Sequence, residues 1–391
     1  MLSPHAERAI QDAIAFGRAI LKFISPNDVG LTGGHQCGYY LPKKVWQMFT
    51  ANPPTKGLNQ ESEVRVVWQD GRVTPSRVKW YGKGTRSEYR LTRFGKDFPY
   101  LTADNVGDLV VFIPKNHQQF AAYVLDFDED IEEVRFALGL ETFDRWAAYD
   151  RGAPVLESED RCIERRFSDF CSPLTDFPDG QTFSKATLEI LEECLKQFNQ
   201  LSVDDLLMEC VDAEYRLFKR VERQLCQGQV TRLFRDVDDF VQTALGILNR
   251  RKARAGRALE NHVHSLLERR GIPHVMRPKS VDGEPDIVIP SDVDYKDAGF
   301  PVERLFIVGV KTTCKDRWRQ VLQEGRRVPQ KFIFTLQPGI SSRQLREMHN
   351  AKVTLVVPRR FHKDYPSDTP ISIMSVAEFM DLIRLRSMAN G

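Results

Sequence analysis

Two side chains in the second half of the chain have types and positions suited to phosphodiester hydrolysis. Asp286 follows a proline in the segment GEPDIVIP, and Lys311 follows the apolar run LFIVGV, 25 positions later. Carboxylates can hold Mg²⁺, which polarises a phosphate group and lowers the pKa of a bound water molecule. A lysine beside that phosphate offsets the charge that develops in the transition state. The pair therefore predicts metal-assisted cleavage of a phosphodiester, although Pro-Asp is also a common turn dipeptide.

A second carboxylate is missing from its usual place. Many metal-dependent nucleases have an acid two positions before the lysine, but here that residue is Gly309. If the charged segment after Lys311 is helical, Arg317 and Glu324 share one face, and Glu324 can point back toward the end of the strand. Glu260, in RAGRALENHV, is another candidate on a preceding helix. The alternative is that both glutamates are solvated helix charges, as most glutamates are.

Short apolar runs in this half predict the strands that must position these side chains. The runs DIVIP, LFIVGV, FIFTL and TLVVP alternate with segments of helical periodicity near 315–327 and 341–349, and a last helix is predicted over 375–388. Alternation of strand and helix implies an α/β fold, with a mixed sheet flanked by helices.

Two longer helices are predicted before the strands. Ser202 with Asp205 three positions later has the pattern of a helix start, and apolar residues follow at helical spacing as far as Gly228. Another helix is expected over 254–270, with Gly271 as its stop.

The first 170 residues are predicted to be mainly β-strands. EVRVVWQDGRV places Asp70-Gly71 between two β-rich runs, which is typical of a hairpin, and GDLVVFIP and FAAYVLDF predict a further pair of strands. A segment rich in turn formers then breaks the pattern. A chain of 391 residues has room for two domains. We therefore expect domains over 1–170 and 185–391, joined by a linker over 171–184.

Composition restricts the possible partners and the cellular compartment. The formal net charge is +2, so any basic surface must be local. No stretch approaches the roughly 18 apolar residues of a membrane helix, and the charged N-terminus lacks the apolar centre of a signal peptide. Seven cysteines are scattered without a Cys-x-x-Cys pair. This pattern argues against a disulfide framework and a zinc site, and favours a reducing cytoplasm.

A local basic patch lies in the first half. The stretch RVKWYGKGTRSEYRLTR, residues 77–93, has six basic residues, one acidic residue and interleaved aromatic residues. Such a patch can neutralise DNA phosphates, and the alternative is a solvated basic hairpin. The glycine-rich stretch SPNDVGLTGGHQCGYYLPKKV, residues 25–45, predicts a loop or arm.

Five segments of the second half together resemble the catalytic domain of EcoRII-type restriction endonucleases. The segments are NRRKARAGRALENHV, PDIVIPS, FPVERLFIVGVKTTCKDRWRQVLQE, FTLQPGIS and VTLVVPRRFHKDYP. These enzymes have the PD-(D/E)xK nuclease motif with a relocated glutamate and a restriction-endonuclease-like fold. The resemblance implies that Asp286, Lys311 and Glu324 are catalytic, with Glu260 as a supporting acid. It also implies that Asp286 and Glu324 are ligands of Mg²⁺.

The same resemblance assigns a role to the charged residues that follow the lysine. In these enzymes they read the outer C·G pairs of a short palindrome-like site that begins with CC and ends with GG. Lys315 and Arg317 would donate to guanine O6 and N7, and Asp316 would accept from cytosine N4, as major-groove chemistry favours. The alternative is the solvated start of a helix.

One position departs from the family pattern. Members that flip the central base pair have an arginine four residues before a tyrosine in the helix that corresponds to MECVDAEYRLF. Here the tyrosine is Tyr215 and the earlier residue is Val211. The sequence therefore leaves open the central base pair and whether it is flipped.

The first half resembles the N-terminal effector-DNA domain of the same enzymes, a mainly β pseudobarrel that grips the major groove with two arms. The resemblance is carried by residues 25–45, residues 77–93 and GDLVVF. By motif, the implied DNA contacts are His35, Tyr40, Arg77, Lys83, Arg86, Glu88 and Arg90. An extra glycine, Gly84, lies inside the second arm.

The whole resemblance implies a type II, IIE-like restriction endonuclease. It would cut double-stranded DNA as a homodimer with Mg²⁺, in a prokaryotic cytoplasm and paired with a DNA methyltransferase. Its N-terminal domain would bind a second copy of the site and regulate cleavage, with autoinhibition in the absence of that copy. The rival hypotheses are a repair or junction nuclease on the same core, and a transcriptional regulator whose second domain is inert.

Overall fold

The computed structural model describes residues 2–32, 37–50, 52, 54–140, 143–152, 161–366 and 373–388. Contacts divide the chain into two compact units. The first consists of Met1–Ala153, Gln337–Glu347 and Phe361–Pro370, and the second of Pro154–Leu336, Met348–Arg360 and Ile371–Gly391. The sequence placed a linker over 171–184 between domains at 1–170 and 185–391, and these extents of the folding domains stay a prediction.

An eight-stranded sheet and two helices form most of the first unit. The helices are α1 (Pro4–Phe16) and α2 (Asp128–Ala137); the strands are β1 (Arg18–Phe23), β2 (Tyr39–Pro42), β3 (Asn59–Trp68), β4 (Val73–Tyr81), β5 (Glu88–Thr92), β6 (Leu109–Asn116), β7 (Gln119–Leu125) and β8 (Trp146–Asp150). The strand order is β2-β5-β4-β3-β7-β6-β1-β8, antiparallel except for the parallel pair β3–β7. The predicted mainly β character is confirmed.

The two strand pairs that the sequence predicted in this unit are present. Strands β3 and β4 form the hairpin, and Gly71 has a φ of 83°, which glycine adopts without a steric penalty. Strands β6 and β7 form the second antiparallel pair. Alternate residues of β3 (Val64, Val66 and Trp68) are buried in an aromatic-rich core. Because side chains of a strand alternate between its two faces, the sequence shows this burial as a period of two residues, which predicted the strand.

Helices and a second sheet make up the rest of the chain. The helices are α3 (Arg161–Cys171), α4 (Gly180–Cys194), α5 (Val203–Thr231), α6 (Val237–Arg269), α7 (Asp292–Lys296), α8 (Ser342–Asn350) and α9 (Val376–Met388). The strands are β9 (Val275–Met276), β10 (Ile287–Ile289), β11 (Phe306–Lys311), β12 (Lys331–Thr335), β13 (Val353–Val356) and β14 (Ile373–Met374). In the order β14-β13-β12-β11-β10-β9, the first four strands are parallel and β10 is antiparallel to both neighbours. This confirms the predicted mixed sheet.

The two long helices follow their sequence signals, with one change of length. Ser202 caps α5 by accepting from the backbone N–H of Asp205, as its sequence pattern indicated. Helix α6 begins at Val237, well before the predicted 254, because the side chain of Asp236 caps it by accepting from the N–H of Asp239. None of the helices in the described ranges has the length and apolar content needed to cross a membrane.

The prediction that the cysteines form no disulfide was wrong for one pair. Cys162 on α3 and Cys194 at the end of α4 are joined by a disulfide, with their Cα atoms 5.6 Å apart. The two cysteines are separated by 32 positions, so only the packing of α3 against α4 brings them within bonding range. Spacing in the sequence contains no sign of such a contact.

Candidate active site

The sheet brings Asp286 and Lys311 into direct contact. Asp286 immediately precedes β10, Lys311 ends β11, and the two strands are antiparallel neighbours with Ile287 opposite Val308. Lys311 Nζ lies 2.7 Å from Asp286 Oδ2. The same oxygen accepts a hydrogen bond of 2.7 Å from the backbone N–H of Val310. The carboxylate and the ammonium group are therefore held at one end of this strand pair.

Packing at Gly309 leaves little room for a side chain. A Cβ atom at this position would lie 3.3 Å from Cγ2 of Val321, which is tighter than most contacts of this kind. Val321 is almost completely buried. The missing side chain at Gly309 thus leaves room for the segment around Val321 to lie against β11.

Glu324 reaches the site by a different geometry from the predicted one. The expected α-helix near 315–327 is instead a 3₁₀ helix over Arg317–Gln323, and Glu324 is the residue just beyond it. With about three residues per turn, Trp318, Val321 and Glu324 share one face, and all three are buried. The prediction that Glu324 shares a face with Arg317 on an α-helix was therefore wrong.

The environment of Glu324 favours the protonated form of its side chain. Its Oε2 atom is buried and has no hydrogen-bond partner among the described residues. Burial, followed by the negative charge of Asp286, raises the pKa of Glu324 to about 7, and the charges of Lys311 and Lys331 oppose this shift. At lower pH the metal-free side chain is mostly protonated, and a cation must displace that proton.

Lys331 fixes the turn that follows Glu324, a role that the sequence did not suggest. Its Nζ donates to the backbone carbonyl of Gly325 over 2.6 Å and also to that of Val328. The side chain is buried at the start of β12, and burial lowers its pKa to about 8. A lysine inside a strand has no distinctive sequence signal, so only the folded chain identifies it.

Glu260, the fourth predicted catalytic residue, is buried on α6. Burial and the negative charge of Asp286 raise its pKa, and the adjacent guanidinium group of Arg277 opposes that shift. Arg277 Nη2 forms an ion pair with Glu260 Oε2. Asp286 thus influences both glutamates, and all four predicted catalytic side chains lie in one neighbourhood. In the described ranges, no three His, Cys, Asp or Glu side chains are clustered closely enough to hold a metal ion together.

The three predicted base-reading residues lie between the end of β11 and Glu324. Asp316 is exposed and Arg317 is half-buried, whereas Lys315 is buried. Asp316 and Arg317 are therefore accessible to a ligand, and a base contact from Lys315 requires its side chain to become uncovered. The role of all three stays a prediction.

A second predicted DNA surface lies on the sheet of the first unit. Tyr40 on β2 pairs with Arg90 on β5, which pairs with Lys79 on β4, so these side chains share the outward face of the sheet. The predicted contacts Arg77 and Glu88 lie on the same face, and Lys83 and Arg86 are exposed in the β4–β5 loop. His35 falls outside the described residues.

Acidic neighbours partly neutralise that surface. Glu61 Oε2 lies 3.3 Å from Arg77 Nη1 and 3.6 Å from Lys79 Nζ, and Arg90 Nε lies 3.5 Å from Glu88 Oε1. Anion binding on this face would therefore compete with these carboxylates. The proposed DNA contacts of this face stay predictions.

Comparison with known protein families gives matches over most of the chain. The family described as "EcoRII C terminal" matches residues 218–380, and the family "Restriction endonuclease EcoRII, N-terminal" matches residues 11–140. The type II restriction enzyme EcoRII of Escherichia coli is 30% identical over an alignment of 387 residues, and the match covers 92% of this chain and 92% of that enzyme.

Three solved structures give weaker similarities. Metal-depleted Ecl18kI in complex with uncleaved, modified DNA covers 57% of this chain and 83% of its own, at 17% identity and a TM-score of 0.46. A complex of the restriction endonuclease PspGI with substrate DNA covers 54% and 93%, at 15% identity and a TM-score of 0.43. The B3 domain of UbaLAI restriction endonuclease with cognate DNA covers 38% and 99%, at 14% identity and a TM-score of 0.26.

Proposed function

The chain belongs to the EcoRII family of type II restriction endonucleases, and we propose that it cuts double-stranded DNA with Mg²⁺ at a short palindrome-like site. In this proposal the site begins with CC and ends with GG. The observation that carries the proposal is the contact between Asp286 and Lys311 at the ends of paired strands, with the buried, unpartnered Oε2 of Glu324 nearby.

Asp286 and Glu324 are the residues that would hold the cation. Their oxygen atoms are the ligands that Mg²⁺ prefers, and Glu324 Oε2 lacks any other partner in the described part of the chain. When bound, Mg²⁺ would polarise the scissile phosphate and acidify a water molecule. Lys311, oriented by Asp286, would place its ammonium group against the phosphate and donate a hydrogen bond there. Glu260 would add negative charge near Asp286.

Digestion of sequenced DNA with Mg²⁺, followed by mapping of the ends, tests the target. We expect ends only at sites of the CC…GG type in the wild type. In Arg317→Ala we expect a loss of about 1–3 kcal/mol at the cognate site and relaxed discrimination at an outer G·C pair. Arg319→Ala, which removes an exposed charge from the same 3₁₀ helix, is the control and should keep the wild-type sites. An equal loss on unrelated sequences would mean that Arg317 contacts only phosphate.

Homodimer formation is part of the proposal, because a two-fold site with two cuts calls for two copies of the active site. A group of exposed apolar side chains where α5 leads into α6 suits such a contact: Leu233 is 96% exposed and Val237 75%, with Phe240 and Leu245 following along α6. Apolar surface of this kind on a hairpin tip is typical of an interface. We propose the second copy of the chain as its occupant.

Sedimentation equilibrium checks this assignment. The wild type is expected to have twice the mass of one chain, and the double substitution Leu233→Asp, Val237→Asp to be monomeric because it places charge in the contact. Val293→Asp, at an equally exposed apolar position on α7, is the matched control and should stay dimeric. A dimeric double variant would remove the hairpin tip from the interface.

Regulation by the first unit is the next part of the proposal. Its outward face on β2, β5 and β4 would bind a second copy of the site, as phosphate contacts and base contacts require basic and polar side chains. Two segments that follow β12 and β13 in the chain also belong to this unit. Within the unit, Arg145 Nε lies 2.7 Å from Asp364 Oδ2, and Gln337 Nε2 donates to the carbonyl of Gly107 over 3.1 Å. These contacts hold the two segments to the rest of the first unit, and the chain passes directly from each segment into the second unit, so we propose that the binding of DNA is transmitted along these chain connections.

Plasmid cleavage by the full-length chain tests this regulation. We expect slow cleavage of DNA with one site and faster cleavage when a duplex with a second site is added. Arg145→Ala, which breaks the ion pair with Asp364, should speed one-site cleavage without the added duplex. Arg18→Ala removes a similarly paired arginine of the same unit, with Asp150 at 3.3 Å, and should leave the rate unchanged. If Arg145→Ala cleaves one-site DNA at the wild-type rate, the ion pair between Arg145 and Asp364 has no part in the regulation.

The cellular setting follows from the proposed activity. A nuclease with this specificity would cut its host's DNA, so we propose a paired DNA methyltransferase that protects the same site. We place both proteins in a prokaryotic cytoplasm, where the DNA is.

A further inference from the structure

A cavity of about 670 Å³ lies beside Glu260, outside the group formed by Asp286, Lys311 and Glu324. Its walls come from the start of α4, from α6 and from the end of β9, and they include Asp179, Arg257, Glu260 and Arg277. The volume is suited to a nucleotide-sized group. The wall therefore combines one predicted catalytic carboxylate with two arginines to which the sequence assigned no role.

The two arginines differ in what holds them. Arg257 is exposed one turn before Glu260 on α6, and its guanidinium group forms no hydrogen bond or ion pair with any residue in the described ranges. Its aliphatic part lies along the start of α4, because a Cβ atom at Gly180 would be 3.6 Å from Cβ of Arg257. Arg277 is paired with Glu260, but half of its side chain is exposed.

Both acidic side chains in the wall of the cavity already have a hydrogen-bond or ion-pair partner in the protein. Asp179 accepts a hydrogen bond of 2.7 Å from the backbone N–H of Thr182 and caps α4. Glu260 is paired with Arg277. The formal charges of the two acids and the two arginines in the wall cancel, so any attraction for an anion is local to Arg257, whose guanidinium group is the one without a partner in the described ranges.

The backbone at Arg277 is strained. Its φ is +44°, a conformation that residues other than glycine rarely adopt. Its backbone N–H donates to the carbonyl of Asp286 over 2.9 Å, which ties this residue to the strand pair of the active site. Glycine would hold the same backbone without strain, so an arginine here points to a use for the guanidinium group.

We propose that this cavity binds a backbone phosphate of the DNA strand being cut, with Arg257 and Arg277 as its two cationic contacts. Arg277 pairs with Glu260 in the free protein and turns to the phosphate when DNA enters. Guanidinium groups suit this role because they bind phosphate oxygens in pairs of parallel hydrogen bonds. The inference rests on the proposed nuclease function and adds a strand-positioning site to it.

Metal-free DNA binding measured against salt concentration tests the site without relying on cleavage. In the full-length chain, Arg257→Ala and Arg277→Gly are each expected to lower affinity for a duplex with the site. Each should also reduce the slope of log affinity against log salt by about 1, as the loss of one phosphate contact does. An unrelated duplex should lose affinity by the same factor, because phosphate contacts have no sequence preference.

Two further variants separate this role from a structural one. Arg277→Lys keeps the charge and loses the paired hydrogen bonds, so it should keep the salt slope and lose part of the affinity. Arg270→Ala removes an exposed charge from the end of α6, away from the cavity, and should match the wild type. The unfolding temperature of Arg277→Gly is measured as well, because glycine relieves the strained backbone while the buried Glu260 loses its partner. A fall in unfolding temperature that accounts for the loss of affinity would assign Arg277 a structural role and overturn the proposal.

The remaining outcomes are also decisive. Wild-type salt slopes in both Arg257→Ala and Arg277→Gly would overturn the phosphate site, while cleavage by the wild-type chain would leave the nuclease function standing. Titration with inorganic phosphate alone tests the other source of this chemistry. If phosphate binds at the cavity and both variants keep full DNA affinity, the cavity takes free phosphate and the DNA assignment is wrong.

Discussion

Replacing Lys311 or Asp286 with alanine is expected to abolish DNA cleavage and to leave binding of the specific site largely intact. Lys311 Nζ and Asp286 Oδ2 are 2.7 Å apart at the ends of β11 and β10, and neither side chain lies in the segment predicted to read bases. The loss of either group removes stabilisation of the transition state, which is worth at least about 10²–10³ in rate. Single-turnover cleavage and gel-shift titration, on the same duplex, measure the two quantities.

A matched control makes the result specific. Lys296→Ala removes an exposed lysine from α7 in the same half of the chain, and it should cut at the wild-type rate. Full activity in either Lys311→Ala or Asp286→Ala would overturn the assignment of the active site. Loss of binding in parallel with loss of cleavage would instead mean that the contact between the two residues supports the fold.

Glu324→Gln is expected to lower the affinity for Mg²⁺ and the cleavage rate together. Glutamine has the same size but no charge, and Oε2 of Glu324 is the buried atom without another partner in the described residues. In the wild type, a proton competes with the cation for Glu324, whose pKa is about 7. The Mg²⁺ concentration for half-maximal cleavage should therefore fall as pH rises toward 7, and Glu324→Gln should lose this dependence.

Glu260→Gln is the comparison, and its effect should be milder because Glu260 is already paired with Arg277. A second comparison restores an acid at the usual position: Gly309→Asp, combined with Glu324→Gln, should not recover activity. The new side chain would meet Val321, whose Cγ2 is 3.3 Å from the position of a Cβ atom there. Wild-type cleavage by Glu324→Gln alone would show that another acid completes the site.

Local patterns in the sequence were enough to predict the elements that carry the first two catalytic candidates. The apolar run after Asp286 and the apolar run before Lys311 each predicted a short buried strand. The structure pairs these two strands as β10 and β11. The Asp70-Gly71 hairpin and the Ser202 cap were also predicted, because turns and caps depend on residues only a few positions apart. In these cases the determining contacts are local, so the sequence contains them.

The route by which Glu324 reaches the site was decided by tertiary packing. The sequence indicated that Glu324 could replace the acid missing at Gly309, but it predicted an α-helix, and the structure has a 3₁₀ helix that lies against β11 through Val321. The same holds for the Cys162–Cys194 disulfide. Each depends on residues that are distant in sequence, and periodicity, spacing and caps contain no information on which distant surfaces will meet.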